Sequence, residues 1–244
     1  MNAPMGYEEY AALTTFREVI PSSLLAEINA AIDASFGPTP IRVEPRAVGE
    51  MLRQVDTFRQ LESLVCTTTQ RFARKMSQVP LEERPHHVLR CVSQANGDNA
   101  HCRHFDSHLL TMLVPLQLAD SEAFFNGDLV VYNNDVRRRI STIGNVICKI
   151  RHGIHRNLPF EFRKRLTVRD LQRGNCARVN VEPGSVYVFN GFALKHANLH
   201  VEEGQRRSLL IHYYDPGFSM GLSKALRFSR KIRDRLQGNM TGMT

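Results

Sequence analysis

Tryptophan is missing from this sequence, and the aromatic share is only 8%. The basic residues are not interleaved with stacking aromatics, so the platform on which single-stranded nucleic acid stacks is lacking. No apolar run approaches the roughly 18–20 residues that cross a bilayer. The opening stretch MNAPMGYEEYAALTTF has neither the basic start nor the apolar segment of a signal peptide, so a cytoplasmic location is expected. Cysteine is sparse: Cys66, Cys91, Cys102, Cys148 and Cys176 are odd in number and include no CxxC pair. That disfavours a disulfide framework and a thiolate zinc site, and leaves reduced, mostly buried thiols as the expectation. Internal repeats and low-complexity segments are absent as well.

The 244 residues suit one domain with a full core. Leu24, Leu25, Ile28, Ala31, Ile32 and Phe36 recur at helical spacing, with Gly37-Pro38 as a stop. Residues 46–78 read as two further helices buried through Met51, Val55, Phe58, Leu61, Leu64 and Val65. After Pro85 the pattern changes to short β-rich runs: HVLRCVSQ, LLTMLVPLQL, GDLVVYNN, ARVNV, SVYVFNG and SLLIHYYD. Such runs at close spacing predict a sandwich or jelly roll. The expected layout is a single domain over 1–244, with N-terminal helices within 7–80, a β core over 85–216 and a basic helix over 217–244. A basic insertion interrupts the core at 133–175, where eleven Lys/Arg face three acids. The formal net charge of +8 is thus concentrated in one segment. A solvated face is the default reading of that segment. The other reading is a rim that contacts an anionic substrate through His152, His155, Arg156 and Arg163.

His104-Phe105-Asp106 stands just before an apolar run. In extended chain alternate side chains share a side, so His104 and Asp106 converge. With one further histidine from a distant strand they form the two-histidine, one-carboxylate face of non-haem iron(II) oxygenases, which leaves coordination positions open. An HxD triplet alone is weak. It gains weight from PGSVYVFNGFALKHANLHVEEGQRRSLLIHYYD, where His196 is followed by Arg206-Arg207-Ser208. Arg206 and Ser208 share a strand face and together offer a planar fork and a hydroxyl to one carboxylate. Arg207 points the other way.

These residues resemble the 2-oxoglutarate/iron(II) dioxygenases, and within them the prolyl-hydroxylase-like branch. Val201, Gly204 and Arg206 fall at that family's offsets from His196, and Arg206 with Ser208 matches its Arg-x-Ser co-substrate motif. Phe125-Asn126-Gly127-Asp128-Leu129 resembles its turn before a central strand, and Val181–Phe189 the strand pair leading to the distal histidine. FREVIPSSLLAEINAAI resembles its N-terminal helix, so the likeness spans most of residues 10–216. It implies a mainly β fold with flanking helices, a double-stranded β-helix (jelly-roll, cupin-like) core packed on N-terminal helices. It implies Fe(II) on His104, Asp106 and His196, and 2-oxoglutarate on Arg206 and Ser208. O2 is then a co-substrate, and ascorbate a candidate reductant. The chain departs from the branch at His101, where prolyl hydroxylases place a tyrosine, which puts proline as the substrate in doubt. Asp106 separates it from the halogenating relatives. RRSLLIHYYD lacks the second arginine of the alkylated-base demethylases, so nucleic acid is disfavoured.

The expected activity is hydroxylation of an unactivated C–H bond in a small, anionic or carrier-tethered metabolite. A prolyl-type protein side-chain hydroxylase is one alternative. A non-catalytic cupin-like or nucleic-acid-binding module is another, supported by the charge. Beyond the metal ligands no further catalytic group is expected. His101, His108, Tyr132, Asn133 and Arg156 are candidates for substrate contact or for support of the metal ligands. Residues 221–238 could lie on an anionic membrane, though packing on the domain is the default for such a helix.

Overall fold

The computed structural model describes residues 13–35, 43–75, 84–94, 99–119, 126–137 and 142–215, and at 75, 133–136, 142–146 and 149 the backbone alone. Five helices and eight strands follow in the order β1 (Thr14–Phe16), α1 (Ser22–Ala34), α2 (Pro45–Leu52), α3 (Asp56–Lys75), β2 (His86–Ser93), β3 (Leu110–Gln117), β4 (Leu129–Val136), α4 (Thr142–Arg156), α5 (Phe160–Gln172), β5 (Ala177–Val179), β6 (Val186–Phe189), β7 (Leu194–Asn198) and β8 (Gln205–Tyr213). The C-terminal segment 221–238 and the stop at Gly37-Pro38 lie outside the described residues. No helix among the described residues is long and apolar enough to cross a membrane.

Every strand pairing among the described residues is antiparallel. One sheet has the order β1-β6-β3-β8-β2 and the other β5-β4-β7. The outer face of the larger sheet carries Leu110, Met112, Val114 and Leu116 of β3 with Leu209, Ile211 and Tyr213 of β8. Against it pack Leu24, Leu25, Ile28 and Ile32 of α1, Val48 and Leu52 of α2, and Phe58, Leu61 and Val65 of α3. Arg207 lies on this outer face too. It pairs with Asp33 and donates to the Asn29 carbonyl at 3.1 Å, tying α1 to β8. Between the sheets Leu113, Tyr187 and Phe189 meet Leu129, Val131 and Leu194.

The helical periodicity expected over residues 46–78 holds in α2 and α3 with one exception, and residues 76–78 lie outside the described residues. Leu64 is 55% exposed, because it sits a third of a turn from Val65 and beyond the edge of the stripe formed by Phe58, Leu61, Val65 and Phe72. The basic insertion is not a bare solvated face: it forms α4 and α5, and Arg163, Thr167 and Asp170 of α5 are buried.

Candidate metal centre

The site is built by a short antiparallel bridge. The His104 N–H donates to the His196 carbonyl at 2.9 Å and the His196 N–H to that of His104 at 3.0 Å. Directly opposed residues in such a pairing project to the same side, and the two imidazole centroids stand 4.4 Å apart. Two residues further on, Asp106 is fixed by its N–H to the Gly191 carbonyl at 2.7 Å. The Nε2 atoms of His104 and His196 lie 3.6 and 3.7 Å from Asp106 Oδ1, and one donor atom from each of the three lies within 4.8 Å of the others.

The orientation of each donor is set by its neighbours. His104 Nδ1 faces the Cys102 carbonyl at 2.9 Å and His196 Nδ1 the Leu194 carbonyl at 3.0 Å. A carbonyl only accepts, so both rings carry the proton on Nδ1 and turn the Nε2 lone pair toward Asp106. Thr111 Oγ1 donates to Asp106 Oδ2 at 2.6 Å, which leaves Oδ1 for a metal. Burial pushes the His196 imidazole down to about 4, against the opposing pull of Asp106. Burial alone would raise the Asp106 carboxyl, but His196, His104 and His212 outweigh it and hold it well below the usual range. Near neutral pH His196 is therefore a free base and Asp106 an anion, the states in which both bind metal. Two imidazoles and a carboxylate oxygen on one side suit a divalent first-row metal with open positions.

A cavity of about 300 Å³ runs from these three residues to Arg206 and Ser208. Arg206 is 5% exposed. Its Nη1 donates to the Gly127 carbonyl and to Asn198 Oδ1 at 3.2 Å, while buried Nε has no partner among the described residues. Asp128, whose charge reaches Arg206, is paired with Arg178 instead. Burial pushes the Arg206 guanidinium down to about 10, so it remains a cation at neutral pH. A buried cation without a paired carboxylate is costly, and an anionic ligand in the cavity relieves that cost. Gly127, at φ +84°, lets Arg206 lie flat: a Cβ there would come 2.8 Å from Arg206 Cδ.

The remaining candidates fall elsewhere. His101 is buried with φ +59°, and its Nε2 meets His200 Nδ1 at 2.9 Å, facing α5 through Phe160. His108 stacks on His212 with centroids 4.8 Å apart. Tyr132 sits on the outer face of β4 with Val130, Cys176 and Leu199, beneath Arg103 and Lys195. Arg156 is exposed at the end of α4. None of these four lines the cavity, and the Asn133 side chain lies outside the described residues. Sequence reasoning passed over His212, Thr111 and Gly191. His212 continues the 206, 208, 210 alternation of β8, approaches Thr111 Oγ1 at 3.0 Å and lines the cavity.

The two basic helices clasp the segment that carries His104. Arg163 Nη1 donates to the Ala100 carbonyl at 2.8 Å, and Arg103 donates to Asp170 Oδ2 at 2.6 Å and to His155 Nε2 at 3.2 Å. The His152 and His104 ring centroids are 5.3 Å apart. Arg163 and His155, candidates for anion contact under the rim reading, are thus engaged with the chain itself.

No family model matches the chain, and no curated protein matches it. Solved structures do. A prolyl-4-hydroxylase from Pseudomonas putida is 12% identical, with 85% of this chain and 89% of that chain covered and a TM-score of 0.46. EvdO2 from Micromonospora carbonacea var. aurantiaca, complexed with 2-oxoglutarate, is 14% identical, with coverage of 84% and 86% and a TM-score of 0.46. HygX from Streptomyces hygroscopicus, with nickel and 2-oxoglutarate bound, is 13% identical, with coverage of 84% and 82% and a TM-score of 0.44. Likeness at this level leaves the chemistry to be argued from the chain's own residues.

Proposed function

We propose that this chain is an iron(II)- and 2-oxoglutarate-dependent oxygenase on a double-stranded β-helix core, hydroxylating a C–H bond of a small, anionic or carrier-tethered metabolite. The observation that carries the reading is one cavity with two chemically matched ends. At one end His104, Asp106 and His196 present two imidazole nitrogens and a carboxylate oxygen. At the other a buried Arg206, with no paired carboxylate among the described residues, shares the lining with Ser208. Iron(II) with 2-oxoglutarate and O2 supplies oxidative decarboxylation to succinate and CO2, coupled to oxidation of a substrate C–H bond.

The residues have separable tasks. His104, Asp106 and His196 hold the metal, and Thr111 keeps Asp106 on a single oxygen. Arg206 and Ser208 bind the distal carboxylate, with a fork and a hydroxyl to one group. Leu113, Leu129, Phe189 and Leu210 supply apolar lining to the same cavity.

Anaerobic addition of 2-oxoglutarate to the iron(II)-loaded protein tests this directly. A weak visible absorption band from the keto acid on the metal is expected in wild type, and an Arg206→Ala variant should need about tenfold more 2-oxoglutarate to reach it. Equal titration curves for the two proteins would overturn the assignment of Arg206.

A further inference from the structure

The inner face of β2 carries a charged group that neither end of the cavity uses. Arg90 lies opposite Ser208 in the β2–β8 register and lines the same cavity as His104, Asp106, His196 and Arg206. β2 is the edge strand of the larger sheet, and Arg90 is exposed where Arg206 is buried. It therefore stands at the open side of the cavity. Among the described cavity-lining residues Asp106 alone bears a carboxylate, and that carboxylate faces the metal position.

Formal charge then points to what is missing. A divalent metal with the Asp106 carboxylate leaves one positive charge, and Arg206 adds a second. A dianionic keto diacid cancels both. Arg90 remains as one cation with no carboxylate beside it among the described lining residues, and a cleft lined by one sign of charge attracts the opposite sign.

We propose that Arg90 is a second anion-binding group of this cavity and receives a carboxylate or phosphate of the primary substrate. This rests on the oxygenase reading above and deepens it: the molecule oxidised carries an oxyanion. The planar guanidinium can take either group by two parallel hydrogen bonds. The buried arginine serves the ligand that enters first, and the rim arginine the one that enters last.

The probe is inorganic phosphate. Protein with substoichiometric Mn(II), with and without saturating 2-oxoglutarate, is titrated with phosphate while paramagnetic broadening of the phosphorus resonance is followed. Wild type, Arg90→Gln and Arg90→Lys are compared, and Mn(II) affinity is measured separately for each. Saturable broadening is expected in wild type, with binding weakened about fivefold or more in Arg90→Gln and partly restored in Arg90→Lys. Mn(II) affinity should stay within about twofold throughout, because Arg90 is not a ligand. Equal broadening in wild type and Arg90→Gln would mean that phosphate reaches the metal or another cation, and would overturn the proposal. Lack of saturable broadening in wild type would overturn it too. Failure of 2-oxoglutarate to bind would strike the oxygenase reading instead, and the Arg90→Gln difference with Mn(II) alone would still decide the role of Arg90.

Discussion

At the scale of single residues, two glycines make room for the groups that matter. A Cβ on Gly191 would stand 2.8 Å from Asp106 Cγ, closer than carbon atoms pack, so Gly191→Ala must push the carboxylate out of position. Metal affinity should fall about tenfold or more, the usual effect of disturbing support for a ligand, as read by calorimetric titration with Mn(II). Unchanged affinity would mean that Asp106 is not held against Gly191. Arg206→Ala should behave oppositely, leaving Mn(II) affinity within about twofold while weakening 2-oxoglutarate. Much of this was legible in sequence, because a strand alternates with period two. That rule separates Arg206 from Arg207, and the structure sends Arg207 to Asp33 on the outer face. The same rule extended by four residues would have reached His212. Arg90 was not legible, since its place beside Ser208 depends on the register of two strands more than a hundred residues apart.

At the scale of elements, α4 and α5 act as a bracket on the segment between β2 and β3 that bears His104. The Arg103–Asp170 pair is nearly buried, with side chains 16% and 9% exposed. Removing one partner of such a pair strands the other charge, so Asp170→Asn should destabilise by about 3 kcal/mol. Urea unfolding measures this, and a loss below about 0.5 kcal/mol would place the pair with ordinary surface ion pairs. The two helices were hidden in sequence for a physical reason. Ile147, Ile150 and Ile154 of α4 are 51%, 58% and 62% exposed, so its apolar spacing marks the outward side instead of a core face. β1 was missed because three residues carry too little pattern, and only the pairing with β6 defines it. The long strands β2, β3, β4 and β8 were legible from their β-branched and aromatic runs.

At the scale of the whole molecule, α1, α2 and α3 share one core with the larger sheet, and Ile28 at its centre is fully buried. Ile28→Ala should therefore lower stability by about 2–5 kcal/mol in urea unfolding, and a surface-like loss would contradict this packing. The strand order β1-β6-β3-β8-β2 was not readable, because each neighbour is remote in sequence. Buried histidines make the metal-free fold sensitive to acid. Burial, then the charges of His200, Lys164 and Arg163, push His101 from 6.5 down to about 3. The unfolded chain thus takes up a proton near pH 6.5 that the folded chain refuses until about pH 3. Stability supplied by neutral His101 is full above that upper value and is lost progressively as pH falls through the window. The melting temperature of metal-free protein should drop between pH 6.5 and 4, and His101→Asn, which tolerates the left-handed backbone, should flatten the drop. An identical pH profile for the two proteins would contradict the burial of a neutral His101.

The most direct test of the central claim is succinate released from 2-oxoglutarate, measured with and without iron(II), in air and under anaerobic conditions, for wild type and His104→Ala. Turnover that requires both iron and O2 and is lost in His104→Ala is the predicted result. Succinate formation that persists without iron, or that His104→Ala retains in full, would contradict the account.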